Sequence, residues 1–235
     1  MPLPRATPYA AVAVVDTALA GLARGRLRRL RLLTKPALMP SLAWWAVGRH
    51  GPAQRAMLRR TGAAMVLSAV GDVALLREDD DAFLVGLGGF LGAHLAYGSA
   101  FAGRTRRWGP GTARRVGPVA ATAAVTVPVL VTRAGPRLGG PVAAYGLAIA
   151  AMAAAATTLD ASVVPASARR RIAAGAVCFM VSDALLGARR FLLPRSSGSR
   201  GDDLGEVVGE AAVMATYTLA QWLLVDGVVR ATQAP

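Results

Sequence analysis

A chain of 235 residues that is 54% hydrophobic and only 17% charged is too apolar for an ordinary soluble domain, and its mean hydropathy of +0.43 agrees. The formal charge of +14 is carried by short Arg-rich segments between apolar runs, the pattern of a polytopic helical membrane protein whose cations meet anionic head groups; no nucleic-acid partner is expected. Membrane strands, which alternate apolar and polar residues in segments of about ten, are excluded, and the single Cys178 excludes a disulfide framework or a thiolate metal site.

The first apolar run, Tyr9 to Ala23, follows Arg5 without a convincing cleavage motif and is expected to be retained as a helix. It carries Asp16, which serves either the site or a neighbouring helix. A basic linker, Arg24 to Arg31, leads to helix two, expected from Thr34 to Gly48. Pro36 suits its first turn, and Trp44 and Trp45 suit an interfacial aromatic belt. Helix three runs from Thr61 to Leu76 and ends in an acidic turn, Arg77 to Asp81; helix four spans Phe83 to Ala102. A loop with Arg104, Arg106, Arg107, Arg114 and Arg115 precedes helix five, Val116 to Val131, and helix six, Gly139 to Leu159. The small residues of both suit close helix packing and mark them as scaffold, with a bend at Pro128. Helix seven, Arg171 to Leu193, a flexible loop from Pro194 to Asp203, and helix eight, Leu204 to Val229, complete the chain. The expected fold is all-α: a single transmembrane domain over residues 1–235, about eight helices, both termini on one side. Lys and Arg divide almost evenly between the two sides, so the positive-inside rule selects no orientation.

Two carboxylates interrupt the apolar runs: Asp72 within 63–76 and Asp183 within 175–187. Such an acid costs about 2.5–3.5 kcal/mol at the centre of a span, so it faces the bundle interior and has work there. Matching contexts point to one shared site. Ser68 and Asp72 lie four apart on one helical face. Phe90, His94, Tyr97 and Phe101 form a stripe on helix four, and Glu210, Met214, Tyr217 and Gln221 repeat those spacings on helix eight. Ser182 and Asp183 sit in the middle of helix seven, and Lys35 is at the mouth of helix two. Packing aromatics account equally for Tyr97 and Tyr217, and inter-helix hydrogen bonds of about 0.6 kcal/mol for Gln221 and Ser182. A three-His zinc site is impossible with His50 and His94 alone; Asp72, His94 and Asp183 are the one set that offers an ion ligands, and no metal or cofactor is expected. No Gly-x-Ser-x-Gly elbow is present. Acid–base chemistry by the paired carboxylates is what remains.

Three groups of residues, Thr34-Lys35-Pro36-Ala37-Leu38-Met39-Pro40, Ser68-x-x-Gly71-Asp72, and Phe83-x-x-Gly86-x-x-x-Phe90-x-x-x-His94-x-x-Tyr97-x-x-x-Phe101, resemble the YhhN-like family of lysoplasmalogenases. Phe179-x-x-Ser182-Asp183-x-x-Leu186 and Tyr217-x-x-Ala220-Gln221 continue the match; Ala37 stands where a Leu is common. The resemblance implies eight transmembrane helices and hydrolysis of the vinyl ether bond of a lysoplasmalogen to a fatty aldehyde and a glycerophospho-head group. It implies Asp72 and Asp183 as the catalytic pair, one protonated to attack the alkene carbon and one anionic to balance the oxocarbenium ion. Lys35, assisted by Arg31, is expected to hold the phosphate. His94, Tyr97, Tyr217 and Gln221 are expected to orient water or the glycerol hydroxyl, with Ser68 and Ser182 in the same substrate-contacting set. Expected partners are the lysophospholipid and membrane lipids, in a bacterial-type plasma membrane. The competing readings are a proton-coupled transporter, with both Asp at the midplane and access from two sides, and a non-catalytic lipid-binding scaffold.

Overall fold

Hydrocarbon offers backbone amides no partner, so an apolar chain satisfies them within helices. The computed structural model describes residues 7–22, 27–51, 54–193 and 200–233, and in them the chain is helical throughout apart from turns and one isolated bridge. The helices are α1 (Thr7–Leu22), α2 (Arg31–Ala46) after a 3₁₀ turn (Leu27–Leu30), α3 (Arg55–Ala74), α4 (Asp80–Phe101), α5 (Pro110–Thr157), α6 (Ala166–Phe191) and α7 (Arg200–Gln233). Four of them are long and apolar enough to cross a membrane, namely α4, α5, α6 and, in α7, Gly205–Gln233. Large apolar side chains such as Val14, Val66, Val85, Leu95, Val125 and Leu219 are exposed on the outside, a surface that suits lipid rather than water.

The expected eight helices are therefore seven among the described residues, and not eight spans. The difference lies in α5, which joins the expected helices five and six into one element of 48 residues. Its bend is at Gly135, with φ 75° and ψ 179°, not at Pro128. Glycine takes the left-handed φ without strain, and the following Pro136 disfavours a helical residue before it. The bend folds the helix back on itself. A Cβ on Gly146 would lie 2.6 Å from Val127 Cγ2, residues that a straight helix would hold about 28 Å apart.

Other boundaries differ for local reasons. Helix α2 starts at Arg31, so Pro36 is interior together with Pro40; neighbouring side chains and helices in a membrane compensate for the missing donors. Trp44 stays on the outside as expected, but Trp45 is buried, its ring centroid 4.4 Å from that of Trp222 on α7. Of the loop expected from Pro194 to Asp203, residues 194–199 lie outside the described residues and 200–203 already belong to α7. Helix α4 has a clear start signal: Asp79 accepts a 2.9 Å hydrogen bond from the Ala82 amide, and Asp80 and Asp81 follow in the first turn, where the helix dipole favours them. The Ala82 amide, and after it Arg77, hold the Asp79 carboxyl below the usual carboxylate range.

Two backbone crossings fix the centre. A Cβ on Gly89 of α4 would meet Gly71 N at 2.8 Å and Leu67 O at 2.9 Å, so only glycine lets α3 and α4 touch there. Between α6 and α7 a Cβ on Gly175 would meet Leu224 N at 2.8 Å. Helix α7 packs against α1, α2, α3 and α6 and forms the axis of the bundle. One end is solid, filled by Leu38, Leu42, Met57, Tyr97, Phe101 and Leu224, and tied by the Thr105–Leu159 bridge. The other end is open.

Candidate active site

The open end is a cavity of about 660 Å³ between the first halves of α2, α4 and α7 and the last turns of α3 and α6. Asp72 and Asp183 both line it, with Lys35, Ser182 and Tyr217. The Gly71–Gly89 crossing sets Asp72 in place, because the residue beside each glycine, Asp72 on α3 and Phe90 on α4, is delivered to the cavity wall. Each carboxylate is then held by a tyrosine. Tyr217 Oη donates to Asp72 Oδ2 at 2.6 Å, and Tyr145 Oη donates to Asp183 Oδ2 at 2.5 Å.

Behind Asp72 runs a directed chain of hydrogen bonds. Tyr97 Oη donates to Gln221 Oε1 at 2.8 Å; Gln221 Nε2 donates to Ser68 Oγ at 3.0 Å and to Tyr217 Oη at 3.4 Å. The two tyrosine hydroxyls thus have assigned directions, and the chain ends on the carboxylate. Ser68, Tyr97 and Gln221 are fully buried and do not line the cavity; they form its floor. Behind Asp183, His94 Nε2 lies 3.0 Å from Tyr145 Oη and 3.4 Å from Asp183 Oδ2. The tyrosine proton is committed to Asp183, so the hydrogen bond assigns the His94 proton to Nε2, and Nδ1 is left buried without a partner among the described residues. His94 also lies behind the wall rather than on it. Phe90 and Phe179 separate the two arms, meeting the Tyr217 ring edge-on at centroid distances of 5.6 and 5.5 Å. Ser182, on the wall, donates to Val213 O at 3.0 Å and couples α6 to α7.

The rim is charged. Arg31, Lys35, Arg77, Arg189 and Arg190 line it, with Glu78, Glu206 and Glu210. Asp16 is wholly buried behind Arg31: its Oδ1 accepts from Thr34 Oγ1 at 2.6 Å and lies 3.5 Å from Arg31 Nε, so this acid positions the rim rather than lining the cavity. Lys35 is buried and makes no ion pair among the described residues. Arg190 pairs with Asp80 at 2.5 Å and lies 4.0 Å over the Phe83 ring. Asp72, His94 and Asp183 do not converge as an ion's ligands: among the described residues no three His, Cys, Asp or Glu side chains cluster.

Sequence reasoning missed Tyr145, Arg189 and the role of Glu210. Tyr145 had one signal, as the single polar-tipped aromatic in the Ala-rich second arm of α5, an element read as scaffold. The arm instead supplies a partner to Asp183.

The fold and site together define an integral membrane protein of packed α-helices around a charged cavity that opens at one end. The chain belongs to the YhhN family, which it matches over residues 30–228. No curated protein and no solved structure matches it.

Proposed function

We propose that the chain is a lysoplasmalogenase-like hydrolase, cleaving the vinyl ether bond of a lysoplasmalogen to a fatty aldehyde and a glycerophospho-head group. YhhN membership, which is associated with hydrolase activity, supports the class. The observation that carries the reading is the pair Asp72 and Asp183, each held by a tyrosine hydroxyl, on one cavity with a cationic rim.

A vinyl ether is cleaved by placing a proton on its β-carbon, which leaves an oxocarbenium ion at the carbon bonded to oxygen. In this reading one of the two carboxyls gives that proton. The other, ionised, offsets the positive charge and takes a proton from the water that adds to the cation. The resulting hemiacetal then breaks its bond to the glycerol oxygen, which regains a proton, and one water is consumed for each aldehyde and alcohol released. Tyr145 and Tyr217 fix the orientation of the carboxylates, and an environment walled by Phe90, Leu186, Val213 and Met214 strengthens both electrostatic effects. Lys35 with Arg31 receives the phosphate.

In the same reading the two arms of α5, 110–134 and 136–157, cross separately. The helices form one domain of a bacterial-type plasma membrane. A proton-coupled transporter needs access from two sides. The buried Ser68, Tyr97 and Gln221 layer, with Leu38, Leu42 and Phe101 beneath it, closes the floor of the cavity, as one-sided access by a lipid substrate requires.

The test is aldehyde release from lysoplasmenylethanolamine by purified protein. Asp72→Asn and Asp183→Asn should each lower the rate at least 10²–10⁴-fold, because Asn can neither give the proton nor balance the charge. The double variant should be little worse than either single one, since the two act as a unit. Robust turnover by both single variants rules out the mechanism.

A further inference from the structure

At the rim one carboxylate bridges two arginines. Arg31 Nη1 on α2 lies 3.5 Å from Glu210 Oε2, and Arg189 Nη2 on α6 lies 3.4 Å from Glu210 Oε1. All three side chains line the cavity. Both separations exceed the roughly 2.7–2.9 Å of a charge-assisted hydrogen bond, so the bridge is loose. Behind Arg31 stands the wholly buried Asp16, whose Oδ1 lies 3.5 Å from Arg31 Nε and accepts from Thr34 at 2.6 Å; the Arg189 side chain is 19% exposed and lies against the α7 backbone at Gly209, while that of Glu210 is 27% exposed. Beside them Lys35 contributes a buried cation. The two arginines thus come from two helices, spaced to share a single anion with two oxygens, and the acid between them is the most exposed of the three side chains.

We propose that Glu210 is an intramolecular stand-in for the substrate's phosphate, and that Arg31 and Arg189 form the phosphate subsite together with Lys35. A phosphodiester carries one negative charge and two free oxygens, as a carboxylate does. It can replace Glu210 between the same guanidinium groups without changing the net charge they hold. Glu210 then swings out along the α7 surface, and the head group stays at the mouth while the alkenyl chain enters between Phe90 and Met214. The exchange excludes neutral lipids, which cannot displace the glutamate from its two partners. It rests on the lysophospholipid reading above, and it assigns roles to Arg189 and Glu210 that the catalytic chemistry does not require.

The experiment measures equilibrium binding rather than turnover, so that it stands apart from the catalytic reading. The probes are lysophosphatidylethanolamine, an ester that carries the phosphodiester but no vinyl ether, and monoacylglycerol, which lacks the phosphate. They are titrated into purified full-length protein in detergent. Removing an intramolecular competitor raises apparent affinity by the inverse of the fraction of unblocked sites, so Glu210→Gln should tighten lysophosphatidylethanolamine binding roughly tenfold. Arg189→Gln should weaken it by at least as much, and neither change should alter monoacylglycerol binding. In the Arg189→Gln background Glu210→Gln should have little further effect. If Glu210 is only a strut between α2 and α6, Glu210→Gln weakens binding of both lipids and lowers the melting temperature, which overturns the proposal. Should Glu210→Gln not fold, Arg189→Gln alone decides: unchanged lysophosphatidylethanolamine binding overturns it. Absent aldehyde release with these binding shifts intact would defeat the hydrolase and leave the subsite standing.

Discussion

Tyr145 shows what one hydroxyl does at this site. Its proton goes to Asp183 at 2.5 Å and its lone pair faces His94 Nε2 at 3.0 Å, so it sets both the carboxylate's orientation and the imidazole's tautomer. A hydrogen bond to a charged group contributes about 1.5–3 kcal/mol, and here the acceptor is one of the two proposed reacting groups. Tyr145→Phe should therefore lower kcat for aldehyde release about 10- to 100-fold with KM little changed, because the residue touches the carboxylate and not the rim. An unchanged kcat would mean that Asp183 is held well enough without it. Tyr217 is different in one respect: it both holds Asp72 and lines the cavity, so Tyr217→Phe should change KM as well.

At the scale of elements, the site depends on how closely α3 and α4 approach. Gly89 sits against the α3 backbone with no room for a methyl group, whereas Gly88, one residue earlier, is exposed, and a methyl group there would meet nothing within 4 Å. Gly89→Ala forces the two backbones apart, and overpacking of this kind costs about 1–3 kcal/mol. It also moves Asp72 relative to Asp183. The expected outcome is a lower melting temperature in detergent and reduced aldehyde release for Gly89→Ala, with Gly88→Ala close to the parent protein in both. Equal behaviour of the two variants would remove the crossing from the account. The same logic applies to α5, where Gly135 at φ 75° turns the chain and brings Tyr145 to Asp183.

For the whole molecule, the two ends differ in charge more than Lys and Arg numbers alone indicate. At the cavity end three arginines are neutralised locally, Arg77 by Asp79, Arg137 by Asp81 and Arg190 by Asp80, while Arg29 and Arg133 are exposed there without an ion-pair partner among the described residues. At the solid end the acids are Asp160 and Asp226. Asp226 is shared by Arg171 and Arg230, and Asp160 caps its own turn through Ser162, with its carboxyl held below the usual range chiefly by that amide. Arg59, Arg107, Arg114, Arg115 and Arg170 are exposed there without an ion-pair partner among the described residues. Each such cation gains about 1 kcal/mol at an anionic leaflet, so the solid end should face the cytoplasm and the cavity should open on the other side. In a Cys178→Ala background, an impermeant maleimide added to intact cells should label Arg77→Cys and spare Ser162→Cys. The reverse pattern would place the cavity at the cytoplasmic face.

Much of this was legible locally. Unbroken apolar runs require helices whatever surrounds them, and the four-residue spacing of Ser68 with Asp72, or of Tyr217 with Gln221, puts each pair on one face in any helix. A carboxylate within such a run marks itself as costly, and so both Asp72 and Asp183 stood out. Spacing fixes a face but not the depth at which a cavity ends. Only the packed structure decided that Asp72 and Tyr217 reach the cavity while Ser68 and Gln221, one turn further in on the same faces, lie in its floor. Trp45 likewise became core because α7 brings Trp222 to it, a contact without any trace in α2 itself. The hydrogen bond from Tyr145 to Asp183 and the Arg31–Glu210–Arg189 bridge join residues far apart in the chain. Such contacts depend on which helices become neighbours, and that is settled by close approach at glycines and by the fold-back at Gly135, which no periodicity along a single helix encodes.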